Sequence, residues 1–432
     1  MTSAEPSGRV RSGIARLRVR LDGLTKPRLF LVVSAPLFAL YLATATWTYP
    51  IINDAYTNAA TAWSVINRGT VYLEDFEGQD VTYGFISWIV PAEDSIASKY
   101  PPGAALVALP AFALWPSDLP RVEYQPEDID EFWRDLYPQL EQPVVVPQVP
   151  IGPAAITAAL ATAIAMGLLA LTFRRLGGSG SLAVMSAYLA GLGTSAWPVA
   201  ADQLWQHGPA MAWIALALLL SEGPLLGSGL AYGAAILTRP HLAVIAAGAG
   251  LGQSWKSRSW RPVVLVGLGA LAGLAAFLAY NWVLFGEASI SAGYGPGFQD
   301  RALSELRLGR FGRNIFDAMF SREVGIFIWS PFLLVLLPGL RAGWRAAPGW
   351  ARGAALGGIA YLLLQYKANS ARGGDFIGYR YPLEALVAAA PVLFLAYKEG
   401  VATRPPLRGP FALSVAISVT LQGLGAFGIG PI

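Results

Sequence analysis

Cysteine is absent from all 432 residues. Disulfide frameworks, thiolate nucleophiles and cysteine-ligated metals are therefore excluded, and redox usage gives no reading of the compartment. Charge is scarce as well: Asp, Glu, Lys and Arg make up 13% of the chain while 54% is hydrophobic, against roughly 25% charged in soluble domains. That balance belongs to an integral membrane protein. The two histidines, His207 and His241, lie far enough apart in sequence to make a weak metal case. No seven- or forty-residue repeat stands out, and the two halves lack the inverted symmetry of many transporters. The net charge of +4 does not point to nucleic acid, because the basic residues cluster in segments flanking apolar runs, as the positive-inside rule produces.

Residues 1–28 carry Arg9, Arg11, Arg16, Arg18, Arg20, Lys26 and Arg28. The apolar run 29–47 that follows is about long enough to cross a bilayer and too long, with too poor a small-residue cleavage pattern, for a cleaved leader. It is expected to be a retained helix whose amino-terminal side is cytoplasmic. Further on, 117–148 is acidic, with Asp118, Glu123, Glu127, Asp128, Asp130, Glu131, Asp135 and Glu141 against Arg121 and Arg134, and the span 151–173 ends in Arg174-Arg175. With those arginines inside, the acidic segment is outside, and the short apolar run 104–115 must enter and leave by one face as a re-entrant or juxtamembrane helix. The same parity gives spans at 182–201 and 209–220, a pair at 225–237 and 243–251 broken at Thr238-Arg239-Pro240-His241, then 263–285, 325–340, 354–366, 383–397 and 411–427. The expectation is an all-α polytopic bundle of about eleven crossings, one domain at 29–432 behind a basic cytoplasmic tail at 1–28.

The ordered, aromatic-rich polar loops, 48–150, 202–208, 286–324 and 367–381, all fall on the outer face. A transporter needs polar groups along a path through its spans. Here they gather at one surface, which favours a site at the outer membrane–water interface acting on a membrane-borne substrate. In the first of these loops Asp54 follows directly on the first span, and an ionisable group at that depth is a functional candidate because leaving it unpaired is costly. It reads equally as a catalytic base or, with Asn53, as the N-cap of a helix 55–67 closed by Gly69, a helix expected to lie amphipathically on the membrane. The segment 369–382 holds Arg372, Asp375, Tyr379, Arg380 and Tyr381 among glycines that let backbone approach a ligand. Each arginine offers a planar fork for phosphate, or else anchors its helix at the interface. Arg239, with His241 behind it, occupies a helix break, as a phosphate ligand or as a snorkelling side chain. Segment 202–208 adds Trp205 and His207.

The order basic tail, apolar span, first-loop Asp, Tyr-Pro-Pro-Gly at 100–103, Thr-Arg-Pro at 238–240, Tyr280-Asn281 with Phe285-Gly286, Trp329-Ser330-Pro331, and Gly-Gly-Asp-Phe-Ile-Gly-Tyr-Arg-Tyr at 373–381 resembles the C-type glycosyltransferase superfamily (GT-C). The resemblance is to bacterial relatives of the lipid-linked mannosyl-, arabinosyl- and aminoarabinosyl-transferases, and it runs over about 29–390. It implies a multi-pass enzyme of the inner (plasma) membrane that takes a sugar from a polyprenyl phosphate and places it on a glycan, lipid or protein acceptor outside the cytoplasm, with Asp54 as general base. Where relatives carry an acidic pair this chain has Asn53-Asp54, so no metal or other cofactor is expected; Ala371-Arg372 stands where relatives have a tryptophan before Gly-Gly. Lys99 matches a position that relatives fill with a basic residue facing the phosphate. Displacing a polyprenyl phosphate needs a base for the acceptor's proton and cations for the charge on the leaving group: Lys99, Arg239, Arg372 and Arg380 form the cationic set. Tyr56, Asn58, Trp205, His207, Tyr294, Asp375 and Tyr379 are the groups expected to meet sugar or acceptor. One base without a second carboxylate as nucleophile suggests inversion, by analogy with glycosidase geometry. Two other classes stay open, a flippase or exporter of lipid-linked sugars and a non-catalytic protein that keeps the fold.

Overall fold

The computed structural model describes residues 7–48, 53–76, 88–115, 117–128, 141–294, 307–373 and 377–429. Apolar runs become helices because hydrocarbon offers no partner for a free backbone N–H or C=O. The basic tail forms α1 (Ser7–Asp22) and turns into α2 (Lys26–Thr44). The first long loop contributes α3 (Asn53–Arg68) and α4 (Gly103–Leu114). Then come α5 (Ile151–Arg175), α6 (Gly180–Leu192), α7 (His207–Leu220), α8 (Leu225–Thr238), α9 (Ala243–Ser257) and α10 (Arg261–Phe285). After α11 (Leu308–Phe320) the chain passes through three short helices, α12 (Ile326–Trp329), α13 (Phe332–Leu336) and α14 (Leu340–Ala346), into α15 (Gly349–Ala368), α16 (Pro382–Ala396) and α17 (Pro405–Ala426). Two small antiparallel ribbons order the first loop, β1 (Ile89–Pro91) with β2 (Ile96–Ser98) and β3 (Arg121–Tyr124) with β4 (Val144–Pro147).

Among the described residues α2, α5, α10 and α17 are long and apolar enough to cross a membrane, and α4, α6, α7 and α8 are apolar but shorter. The chain is a mostly helical, multi-pass membrane protein. Helix α5 is its central post: 72% of its apolar window is buried, against 22% for α10 and α17, which turn most of their surface outward. Helices α8 and α10 cross with backbones nearly touching, as do α9 and α15. A Cβ on Gly233 would strike Gly269 O, and one on Gly353 would strike Gly248 O. Lipid tails are as apolar as leucine, so membrane helices gain most from such close packing, and small residues four apart permit it.

Two expectations change in the structure. The apolar run 182–201 is not one straight helix: α6 stops at Leu192, and after Gly193–Ser195 a wider turn spans Ala196–Ala200. The run 325–340 is likewise broken at Ser330-Pro331, where proline withholds an N–H from the ladder. The second change concerns α3, expected on the membrane surface. Every residue from Ala55 to Ser64 is buried inside the protein. Its alanines let neighbours close in on all sides, and its polar side chains bond to backbone: Asn58 donates to Leu204 O (2.9 Å), Thr61 to Thr57 O (2.8 Å) and Ser64 to Tyr72 O (2.6 Å). Gly69, at φ +71°, closes the helix as expected. The helix begins at Asn53, so Asp54 lies in its first turn, where the macrodipole favours a carboxylate.

Candidate active site

Helix α3 and the approach to α16 bring Asp54 and Arg380 together from opposite ends of the sequence. Asp54 Oδ1 accepts from the Tyr100 hydroxyl at 2.7 Å, and Oδ2 accepts from Arg380 Nη1 at 3.4 Å. The side chains of Asp54 and Arg380 are 13% and 11% exposed, so the pair is shielded but reachable. Burial, reinforced by the Asp54 carboxylate, holds the Tyr100 phenol well above the ordinary tyrosine value. Tyr100 is therefore the donor in that bond at any working pH.

The Arg380 guanidinium is held in position by aromatic rings. Its centre stands 5.0 Å from the ring of Trp205 and 5.0 Å from that of Tyr381, and Nη2 donates to the Tyr381 hydroxyl at 3.3 Å. The backbone before it is pinned. Tyr379 N donates to Ser195 Oγ (3.0 Å), the Tyr379 and Ser330 hydroxyls meet at 2.7 Å, and Ser330 donates to Gly193 O (2.7 Å). Gly378 is required here twice over: its φ is +98°, and a Cβ would sit 2.6 Å from Ser195 Oγ.

Lys99 completes the mouth. It follows β2, with its N–H on Trp88 O at 3.0 Å, and its ammonium faces the rings of Tyr294 (5.4 Å) and Tyr100 (5.7 Å), which meet edge to face. Burial lowers the ammonium below the ordinary lysine value, opposed by the Asp54 carboxylate. Gly103, four residues on, opens α4 directly against Thr238, where a Cβ would lie 2.5 Å from the backbone nitrogen. The Tyr-Pro-Pro-Gly and Thr-Arg-Pro segments are thus neighbours in space.

One turn into α16 from Arg380, Glu384 anchors a second, fully buried layer. Its Oε1 lies 2.8 Å from His207 Nδ1 and 3.4 Å from Arg239 Nη1, and its Oε2 accepts from the Tyr361 hydroxyl at 3.0 Å. His207 satisfies both neighbours when Nδ1 donates to Glu384 and Nε2 accepts from Arg239 Nη1 (3.1 Å). His241 stacks on Tyr361, with ring centres 5.0 Å apart and planes 2° from parallel. Arg239 Nε is buried with no acceptor among the described residues. A guanidinium with one donor unspent, beneath a mouth of cations, is suited to an anionic ligand.

No family model matches the chain, and no curated protein does. Two crystal structures do, both of ArnT from Cupriavidus metallidurans. The apo form aligns over 92% of this chain and 75% of its own, at 14% identity and a TM-score of 0.50. The fold is that of ArnT. The form of ArnT bound to undecaprenyl phosphate aligns over 93% and 76%, at 16% identity and a TM-score of 0.47.

On this ArnT-like frame the residues singled out in the sequence separate into three groups. Asp54, Lys99, Arg380, Trp205 and Tyr294 gather at the mouth, with Arg239 and His207 in the layer beneath. Tyr56, Asn58 and Tyr379 are buried with their polar groups on the scaffold: Tyr56 donates to Pro147 O (2.7 Å), Asn58 to Leu204 O, and Tyr379 is held by Ser195 and Ser330. They position the walls of the site. Arg372 is exposed in the loop before Gly373, and Asp375 lies outside the described residues. Sequence reasoning quoted Tyr100 and Tyr381 within their motifs without giving either a role, and passed over Tyr361 and Glu384. The signal for Glu384 was present, a lone carboxylate in an apolar run four residues after Arg380. Its presence also qualifies the expectation that polar groups gather at one surface, since Glu384 meets Arg239 and His207 in a fully buried layer. Among the described residues no three His, Asp or Glu side chains are grouped so as to hold a metal.

Proposed function

We propose that this chain is a membrane glycosyltransferase that moves a sugar from a polyprenyl-phosphate donor to a hydroxyl-bearing acceptor, with Asp54 as general base. The observation that carries the reading is the mouth itself: one carboxylate flanked by Lys99 and Arg380, with Arg239 beneath. The acceptor hydroxyl attacks the anomeric carbon and its proton passes to Asp54. The bond from that carbon to the phosphate oxygen breaks, the oxygen keeps the electron pair, and the cations take up the charge. A single displacement inverts the anomeric carbon. Likeness of fold to ArnT, which has been crystallised with undecaprenyl phosphate, supports the donor class by analogy. In this reading the bundle crosses the inner membrane about eleven times, α1 lies on the cytoplasmic side and Asp54 opens to the outside.

The test is transfer by purified protein in detergent from a panel of polyprenyl-phosphate sugars, with Asp54→Asn alongside. Asparagine keeps a polar group in the first turn of α3, so folding should change little, whereas general-base loss typically costs on the order of a hundred- to ten-thousand-fold in rate. An Asn variant that binds donor yet works within a few-fold of the parent would remove the base from the mechanism. The buried Glu384–Arg239–His207 layer gives some support to a second reading, a lipid-sugar flippase. That reading expects no sugar transfer in detergent from either protein.

A further inference from the structure

Away from the mouth, a cavity of about 460 Å³ lies between α5, α6, α13, α16 and α17, within the roughly 300–1,000 Å³ range that encloses a small ligand. It begins beside Thr194 and Leu383, one turn from Arg380, and ends at Arg18, Asp22, Ser179 and Ser181. At about 1.5 Å per residue, α6 from Gly180 to Leu192 covers about 18 Å, more than half of a hydrocarbon core about 30 Å thick. Its wall on α16 is the row Leu383, Leu386, Val387, Ala390 and Leu393, spaced as one helical face. Glu384 points about a quarter-turn away, toward Arg239. The cavity and the charged layer therefore occupy different faces of α16.

Its polarity is one-sided. The walls are uncharged and mostly apolar, Ser186 and Thr194 apart, up to the end where α1 and α2 meet the α5–α6 turn. That junction is tight: Asp22 Oδ1 accepts from Ser181 N at 2.8 Å, and a Cβ on Gly180 would strike Leu21 O. Asp22 is thereby committed to backbone, while the Arg18 guanidinium at the rim has no hydrogen bond or ion pair among the described residues. Around it α1 supplies Arg16 and Arg20, and α5 ends in Arg174 and Arg175, so cations outnumber the one carboxylate. Leu17 and Val19 are 56% and 74% exposed beside the same rim, as suits a helix lying in a membrane interface.

We propose that this cavity binds an anionic membrane phospholipid, its acyl chain along α6, α16 and α17 and its phosphate at Arg18, in the leaflet opposite the Asp54 mouth. An apolar slot with a free cation at one end matches a lipid tail and head in both length and charge. The donor's phosphate belongs at Lys99 and Arg380, at the other end of the bundle, so the two lipids are different molecules. The proposal stands independently of the transfer reaction.

Native mass spectrometry of delipidated protein, supplied with phosphatidylglycerol or phosphatidylcholine of identical chains, tests it. The parent should retain one phosphatidylglycerol in preference to phosphatidylcholine and melt higher with it. Arg18→Gln should cut that preference about fivefold, as expected for one arginine at a lipid phosphate. Ala190→Phe, which fills the slot, should reduce retention of both lipids. Ser186→Phe, at a half-buried position of the same wall, gives this reading if Ala190→Phe does not fold. Equal retention of the two lipids by the parent, or unchanged phosphatidylglycerol retention in Arg18→Gln or in the filled variants, overturns the proposal. So does one-for-one displacement of phosphatidylglycerol by undecaprenyl phosphate, which would give the slot to the donor's tail.

Discussion

Removing Glu384 tests how the charged layer beneath the mouth is balanced. The carboxylate is 0% exposed and meets His207 at 2.8 Å, Tyr361 at 3.0 Å and Arg239 at 3.4 Å. Glu384→Ala leaves the Arg239 guanidinium, itself 5% exposed, without a counter-charge and beyond the reach of bulk water. Breaking a buried ion pair from one side costs about 3–5 kcal/mol, whereas Tyr361→Phe deletes one neutral hydrogen bond, worth about 0.5–1.5 kcal/mol. Glu384→Gln should fall between, because its amide still offers an oxygen but no charge. In the double variant with Arg239→Gln the stranded cation is gone too, so stability should recover by on the order of 1–3 kcal/mol relative to additive losses. Reversible denaturation in mixed micelles measures the parent, these three single variants, Arg239→Gln alone and the double variant. If Glu384→Ala costs no more than Tyr361→Phe, or the two Gln substitutions simply add, Glu384 is not the counter-charge of Arg239 and the layer is held in some other way.

Arg380→Lys keeps the charge but loses the flat cation seated between Trp205 and Tyr381; at about 0.5–1 kcal/mol per ring, donor affinity should fall roughly ten-fold in a titration of transfer rate against donor, and a fully active lysine variant would place the phosphate elsewhere. Asp202, in the loop before α7, has its carboxyl raised by burial from 3.8 to about 6, against hydrogen bonds from Thr46 N (2.6 Å) and Thr46 Oγ1 (3.1 Å). Because the folded value lies above the unfolded one, its stabilising contribution is complete below pH 3.8 and is lost as pH rises through about 6. Melting temperature should decline over that window in the parent and stay flatter in Asp202→Asn; identical profiles would contradict the assignment. Gly353→Leu drives a side chain into Gly248 O and should abolish folding, while Gly267→Leu, whose Cβ meets nothing within 4 Å, should elute and melt like the parent. Equal behaviour of the two leucine variants would refute the close-packing argument.

The mouth was legible because charge is rare in this chain. Asp54, Lys99, Arg239 and Arg380 each stand at the edge of an apolar run, and an ionisable group there is conspicuous against so little other charge. What pattern cannot supply is direction. Tyr56, Asn58 and Tyr379 looked like ligand contacts because they are polar and close in sequence to charged groups. Their hydroxyls and amide turn instead to Pro147 O, Leu204 O and Ser330. The burial of α3 was hidden for a related reason: alanine, threonine and serine suit a surface helix by polarity and a buried one by size, and only the surrounding helices decide between them. Glu384 escaped because it falls within a run that reads as a span.

The breaks in the helices and the position of the site have one physical cause. Irregular backbone is tolerated at membrane depth only where protein satisfies it, and the interruptions at Gly193–Ser195, at Arg239-Pro240 and at Ser330-Pro331 are tied to the same cluster of side chains. Ser330 donates to Gly193 O, Gln422 donates to Trp329 O at 3.1 Å, and Ser195 Oγ takes the N–H of Tyr379. Glu384 meets Arg239 at the third break. At two of the interruptions polar side chains bind freed carbonyls, Gly193 O and Trp329 O, and at the remaining one Glu384 holds the Arg239 side chain itself, so the same cluster fixes the residues on either side of Arg380 and Arg239. The bends in the spans are therefore part of what holds the cations in place, and straightening any one of them, for example by Pro331→Ala, should loosen the mouth before it loosens the bundle.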